Sequence, residues 1–282
     1  MKALSPKYPV YILCLFLLLL QGYATNLEKK KHSSNVTFYN ANKGVKSTVS
    51  KIKQVPVLCY HTIRESSKDD GPYQKAYSIS PVNFALQMKA LSDNRYTSIT
   101  TDELKDYLSI DRSLPKNPII ITFDDGTKGQ SEIGARILDK YNFKGVFFIM
   151  TVVIGKKNYM NQNEIKILSD KGHVIGCHTW DHHKVTDYKK EDWFVQVIKP
   201  KKQLEKITQK PVTCFAYPYG AWNRAAADSL RKYGFTAAFI FYGRQDSSVP
   251  LYSIERINVT NSLTIENFLA VIKKKETQHN CY

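Results

Sequence analysis

Strand-length apolar runs recur along this chain with helix-length stretches between them, and that alternation restricts its fold more than any other feature. The runs read "VPVLCYH", "YTSIT", "PIIITFDD", "GVFFIM", "HVIGCHT", "TCFAYP", "TAAFIF" and "SIERINV". Several are apolar at successive positions, as strands buried on both faces are. Between them, "SPVNFALQMKALSDN" places Ser80 as an N-cap and Pro81 at the first helical position. "TTDELKDYL" carries a capping box from Thr100 to Glu103. "GQSEIGARILDKYNF", "NQNEIKILSDKG", "EDWFVQVIKPKKQLEKI", "WNRAAADSLRKYGF" and "TIENFLAVIKKK" also read as helices, with Pro200 set to kink or end the third of these. Such a pattern predicts an α/β fold, an irregular (β/α) barrel of about seven parallel strands. A doubly wound open sheet is the alternative. No GxGxxG follows the first strand and no GxxxxGK[ST] occurs, so nucleotide cradling has no support.

The ends of the chain differ from this pattern. Lys2 and Lys7 precede "YPVYILCLFLLLL" and the small residues Gly22 and Ala24. That order predicts a secretory signal peptide over residues 1–24, with an uncleaved membrane anchor as the alternative. Residues 25–54 are polar and Lys-rich and read as a linker. Residues 55–275 carry the folded domain and 276–282 a tail. Export follows as an expectation: periplasmic, cell-surface or secreted. Formal charge is +16, and about +14 once Lys2 and Lys7 leave with the signal. Such a surface suits anionic cell-envelope material. Nucleic acid is not expected, because no basic block with interleaved aromatics is present. Cys59, Cys177, Cys214 and Cys281 are too few and too scattered for a disulfide framework, and three of them sit in apolar runs as small hydrophobes.

In a parallel barrel, chemistry gathers at the C-terminal ends of strands. The polar residues ending apolar runs here are His61, Asp124 and Asp125, His178, and Tyr217 to Gly220. Two adjacent carboxylates repel and are costly when buried, unless a cation offsets them. His178 and His182 are four apart, a spacing that sets two imidazoles on one side of a helical turn. Two His and one Asp make a three-ligand metal site that leaves a position for water. The second Asp is then free to take a proton from that water. Zinc is the first choice of divalent metal for this donor set, with cobalt, nickel or iron as alternatives.

With these residues in hand, the chain resembles the polysaccharide deacetylase family, the NodB homology domain of carbohydrate esterase family 4. Thr122 to Gly126 stand as its TFDDG motif, and His178-Thr179-Trp180-Asp181-His182 as its H[ST]xxH motif. The resemblance implies Asp124 as general base and Asp125, His178 and His182 as metal ligands. His173 and His183 are left as surface or supporting residues, with His183 a substitute for His182. The family's RxPY motif is matched in part at "AYPYG". Tyr219, Pro218 and Trp180 are the expected oxyanion and substrate contacts, the backbone N–H of Tyr219 above all. Ala216 stands where the family has a base-orienting Arg, and Arg256 is the candidate replacement. No C-terminal Leu-x-His is present to act as general acid. "VPVLCYH" instead resembles the subgroup that deacetylates poly-β-1,6-N-acetylglucosamine in biofilms, which implies His61 as the general acid that protonates the leaving amine. The implied activity is metal-dependent N-deacetylation of an exported N-acetylhexosamine polysaccharide or oligosaccharide. An O-acetyl esterase and a non-catalytic carbohydrate-binding relic are the alternatives.

Overall fold

The structure is a computed structural model that describes residues 54–110 and 112–277. The expected leader, nearly all of the linker, and Cys281 lie outside the described residues. The described residues form ten strands: β1 Val57–Tyr60, β2 Thr62–Ile63, β3 Ser78–Ile79, β4 Thr97–Ser98, β5 Pro118–Phe123, β6 Gly145–Ile149, β7 Val174–Cys177, β8 Cys214–Ala216, β9 Ala237–Phe239 and β10 Ile257–Asn258. Seven run parallel in the order β10-β1-β5-β6-β7-β8-β9, and β4 adds a short parallel pairing at the start of β5. The sheet curls until its ends meet. Ile254 bridges Phe239 of β9, while Ile257 and Asn258 pair with Leu58 and Cys59 of β1. One short segment, residues 254–258, thus touches both ends of the sheet. The irregular barrel expected from the alternation is the fold observed.

Among the described residues eight α-helices surround it: α1 Pro72–Tyr77, α2 Pro81–Asp93, α3 Thr101–Ile110, α4 Ala135–Lys140, α5 Gln162–Asp170, α6 Lys199–Thr208, α7 Arg224–Lys232 and α8 Ile265–Thr277. Ser80 caps α2 through the Asn83 N–H at 3.1 Å, and Thr100 and Glu103 close the capping box of α3. A wide π turn, Phe194–Ile198, runs straight into α6 at Pro200. A proline ring collides with the carbonyl four residues back, and widening the turn before it relieves that collision. Two elements have no counterpart in the sequence reading, the small parallel β2–β3 pair and α1 behind it. Both are too short for a periodic signal.

The pleat decides what the barrel interior holds. Side chains alternate along a strand, so residues of one parity share a face. Val57, Ile120, Val146, Phe148, Cys214, Ala216, Ala237, Phe239 and Ile254 form one buried cluster inside the barrel. The other parity, including Leu58, Ile121, Phe147, Ile175 and Phe215, packs outward on Met88, Leu138, Leu168, Leu204, Leu230 and Phe268 of the helices. At Gly176 an added Cβ would lie 2.4 Å from the Phe148 ring and 2.9 Å from the Cys214 sulfur, so only glycine fits this interior position of β7. Counting on by twos, the interior face of each strand ends on Cys59 and His61, on Thr122 and Asp124, and on His178. The closing segment adds Arg256. Cys59, Cys177 and Cys214 are buried free thiols, and no helix among the described residues is long and apolar enough to cross a membrane.

Candidate active site

The strand ends bring Asp125, His178 and His182 together. Asp125 Oδ1 lies 3.6 Å from His178 Nε2 and 3.8 Å from His182 Nε2. One ligand atom from each residue falls within 4.8 Å of the others. The backbone bends sharply to achieve this. Asp125 and Gly126 adopt positive φ of 76° and 77° where β5 ends. His178 and His182 do not sit on a helical turn, as their spacing suggested. They belong to an irregular loop in which Thr179 and His182 take φ of 69° and 71°. The His182 N–H donates to Thr179 Oγ1 at 2.9 Å, pinning that loop, and the two rings come to 4.7 Å between centroids. Left-handed backbone at non-glycine residues is costly, and it gathers where the surrounding fold imposes it.

The donor set suits a divalent ion. His178 Nδ1 donates to the Ala216 carbonyl at 2.8 Å in the tautomer that leaves its buried Nε2 lone pair facing Asp125. Burial pushes His178 below its ordinary value; burial and then the neighbouring His178 push His182 down to about 4. Both imidazoles are therefore neutral near pH 7, as ligation requires. Burial, and then the adjacent Asp124 charge, raise Asp125 to about 7. Among the described residues no Lys or Arg pairs with it. A carboxylate in that position is relieved by a cation placed between it and two neutral imidazoles.

Asp124 is held quite differently. Its Oδ1 accepts from Arg256 Nη1 at 2.6 Å and its Oδ2 from Nη2 at 2.8 Å, a bidentate pair buried on both sides. Arg256 also donates from Nε to the Ile240 carbonyl and from Nη1 to Thr122 Oγ1, each at 3.2 Å. Thr122 in turn donates to the Leu58 carbonyl at 2.8 Å. Burial alone would raise the Asp124 carboxyl. The Arg256 guanidinium outweighs it, with help from His178 and His61, and holds the group well below the usual carboxylate range. Like charges side by side thus take opposite protonation tendencies because only one of them has a guanidinium. Cys59, His61 and Asp124 also fall within ligand distance of one another. Arg256 already balances the Asp124 charge, however, and burial raises the Cys59 thiol well above its ordinary value, so this second cluster offers a metal no unbalanced carboxylate and no thiolate.

His61 Nε2 lies 4.0 Å from Asp124 Oδ2, and its ring sits edge-on to Tyr77 at 4.7 Å and to Phe241 at 5.6 Å. Nδ1 is buried without a hydrogen-bond partner. Burial pushes His61 down to about 4, although Asp124 pulls it up. The aromatic enclosure disfavours the imidazolium more than one carboxylate at 4.0 Å favours it, so the imidazole is neutral near pH 7 and a proton for the leaving group has to be received before it is passed on. Tyr219 lies over the site, its ring 4.4 Å from that of His182 and its φ at 58°. Gly220 follows at φ 66°, and a Cβ there would strike the Phe241 backbone nitrogen at 2.5 Å. Pro218 is buried at the start of that turn. Trp180 lies outside the pocket, half exposed, because the loop turns His178 and His182 inward and leaves the residue between them facing out. His173 is buried just before β7, accepting from the Gly145 N–H, and His183 is exposed and pairs with Asp181. The pocket also has walls that motif reading did not anticipate, made by Tyr73, Tyr77, Phe241 and Tyr242.

Comparison with known proteins agrees with this geometry. The polysaccharide deacetylase family model matches residues 111–238. YxkH of Bacillus subtilis, a protein assigned to the polysaccharide deacetylases, is 25% identical over 221 residues, covering 78% of this chain and 76% of its own. A poly-β-1,6-N-acetyl-D-glucosamine N-deacetylase of Staphylococcus aureus is 28% identical over 179 residues, covering 58% of this chain and 61% of its own. Among solved structures, the Streptococcus pyogenes deacetylase PplD, in complex with acetate, superposes with a TM-score of 0.70 at 22% identity, over 77% of this chain and 97% of that one. The last likeness speaks to the fold alone.

Proposed function

From its place in the polysaccharide deacetylase family, we propose that this chain is a metal-dependent N-deacetylase that removes acetyl groups from an N-acetylhexosamine glycan. The observation that carries this reading is the division of labour between two adjacent carboxylates. Asp125 faces two neutral imidazoles, while Asp124 is locked on Arg256 only one residue away. Asp125, His178 and His182 would hold the divalent metal, zinc being the first candidate. When bound, that ion supplies Lewis acidity toward the acetamido carbonyl and toward water.

The chain's own residues do the rest. Asp124, ionised and immobilised by Arg256, takes a proton from the attacking water. The N–H of Tyr219, presented by its left-handed turn, donates to the oxygen that becomes negative as the amide carbon turns tetrahedral. His61 stands 4.0 Å from Asp124, so the proton taken up by the carboxylate has a short path to the imidazole. His61 then delivers it to the departing nitrogen. The C–N bond breaks, and the products are acetate and a free amine. Ala216 in place of the family Arg was the ground for a non-catalytic reading. Arg256 brings a guanidinium to Asp124 from the other end of the domain, which supports the catalytic reading. Poly-β-1,6-N-acetylglucosamine is the glycan we favour, on the Staphylococcus aureus relative and the His61 layout. We further propose that the protein works outside the cytoplasmic membrane, directed there by residues 1–24.

Acetate release decides the matter. Purified protein should release acetate from N-acetylglucosamine oligomers, and a chelator should abolish the release until a divalent metal is returned. Release from acetylated xylan alone would replace the reading by an O-acetyl esterase. No release from either, with metal bound, would leave only a carbohydrate-binding role.

A further inference from the structure

Helix α1 buries none of its six residues in the core. What it does is raise Tyr73 and Tyr77 against the pocket that holds His61, Asp124 and Asp125. Their rings lie 4.7 Å apart and tilted by 38°. Tyr77 reaches across to Tyr242, hydroxyl to hydroxyl at 3.5 Å, and Tyr242 packs edge-on to Phe241 at 4.5 Å. Tyr73 is 63% exposed and Tyr242 64%. Exposed aromatic rings are costly in water, and three of the largest on this surface, Tyr73, Tyr242 and Tyr219, line one pocket. Tyr219 packs on His182, while Tyr77 packs on His61 and touches both Tyr73 and Tyr242.

We propose that Tyr73, Tyr77 and Tyr242 form a stacking subsite for a second sugar ring, next to the ring whose acetamido group reaches the metal ligands. The proposal rests on the deacetylase reading above. Its ligand class follows from shape and polarity. A ring with all its substituents equatorial shows apolar C–H faces on both sides, and a β-linked gluco-configured hexosamine is such a ring. Flat tyrosine faces bury those C–H groups while ring hydroxyls and the tyrosine OH stay hydrated. Among the described residues that line the pocket the one Lys or Arg is Arg256, which Asp124 occupies, and the nearby Lys184 lies over the ring of Tyr219 and not of Tyr73, Tyr77 or Tyr242. A neutral glycan therefore suits this wall better than an anionic one. The consequence is a chain-length requirement, since a lone N-acetylglucosamine unit leaves the tyrosines uncovered.

The experiment compares wild type with Tyr73→Ala, Tyr242→Ala and Tyr73→Phe, metal-loaded for the kinetics and chelator-treated for the binding. One measurement is the ratio of kcat/KM for a β-1,6-linked N-acetylglucosamine pentamer over that for its methyl glycoside monomer. The other is the pentamer Kd by calorimetry on chelator-treated protein, where no turnover occurs. Each alanine should lower the ratio and weaken Kd by about tenfold, the size of one lost aromatic stacking partner, mainly through KM. Tyr73→Phe should restore both, because the ring face and not the hydroxyl does the binding. Tyr73 is exposed and contributes nothing to the core, so these variants keep the fold. If both alanine variants retain the wild-type ratio and Kd, the subsite is refuted while the deacetylase reading stands. If wild type binds the pentamer in a tyrosine-dependent way yet releases no acetate from any substrate, the subsite stands and the deacetylase reading falls.

Discussion

Replacing Arg256 with Met tests how the fold tolerates a carboxylate inside a barrel. The guanidinium is 1% exposed and the Asp124 side chain 4%, so neither has water to fall back on. Met fills most of the aliphatic space but removes four hydrogen bonds, two of them the fork on Asp124. Removing one partner of a buried ion pair costs about 3–5 kcal/mol, because the other charge is left uncompensated. A domain holds about 5–15 kcal/mol in total, so the variant should fold with a clearly lowered urea midpoint. The pH dependence carries a sign. In wild type the Asp124 carboxyl is depressed, so its contribution is present above the unfolded value near 3.8 and is lost as pH falls through the folded one. Without Arg256, burial dominates and the folded carboxyl rises, so the variant gains stability as pH falls from neutral. The stability gap should be widest near pH 7 and narrow toward pH 4, measured by urea denaturation of metal-free protein. Turnover should fall by about 10²-fold or more, the loss expected for a misplaced or protonated base. Arg256→Lys keeps the charge without the planar fork and should recover stability better than turnover. An Arg256→Met protein with a wild-type midpoint at pH 7 and turnover within twofold would refute the reasoning.

Asp125→Ala, His178→Ala and His182→Ala should each lose bound metal together with activity in a metal-content measurement, whereas His183→Ala should keep both; full occupancy in His182→Ala would show that the ligand register is wrong. His61→Ala should retain metal, lose most amide hydrolysis, and lose less on an activated ester whose leaving group needs no proton; equal losses on both would make His61 structural. Burial, aided by Lys144 and opposed by Asp139, pushes His173 down to about 4 from 6.5. Its folded form resists the proton that the unfolded chain accepts, so stability should fall as pH drops from about 6.5 to about 4. His173→Gln should remove about 3 kcal/mol of that loss, by about 1.4 kcal/mol per unit, and an unchanged pH slope in urea denaturation would refute it.

Much of the barrel was legible because its strands are buried on both faces and their apolar runs are continuous, as in Pro118–Phe123. The capping residues Ser80, Thr100 and Glu103 act locally, and they cap in the structure as the sequence indicates. That the candidate residues share one mouth of the barrel was legible too, since strand parity carries Asp124 and His178 there and both motifs end strands, whereas Asp125 has the other parity and joins them only through its left-handed backbone. Residue type alone also required a cation for Asp124 once Ala216 was found in the usual place. Other features came only with the tertiary structure. That the cation is Arg256, 132 positions away, depends on the segment after β9 closing the barrel against β1. The imidazoles of His178 and His182 converge through two left-handed residues, and a four-residue spacing cannot distinguish that loop from a helical turn. Protonation was decided in the same way. Asp124 and Asp125 are identical and adjacent in sequence, yet one meets a guanidinium and the other meets two imidazoles, and only the closed barrel sets those distances. Two tyrosines of the pocket wall, Tyr73 and Tyr77, come from a six-residue helix with no buried face. Such a segment leaves no hydrophobic period to read, because its packing partners are residues brought from the far end of the chain.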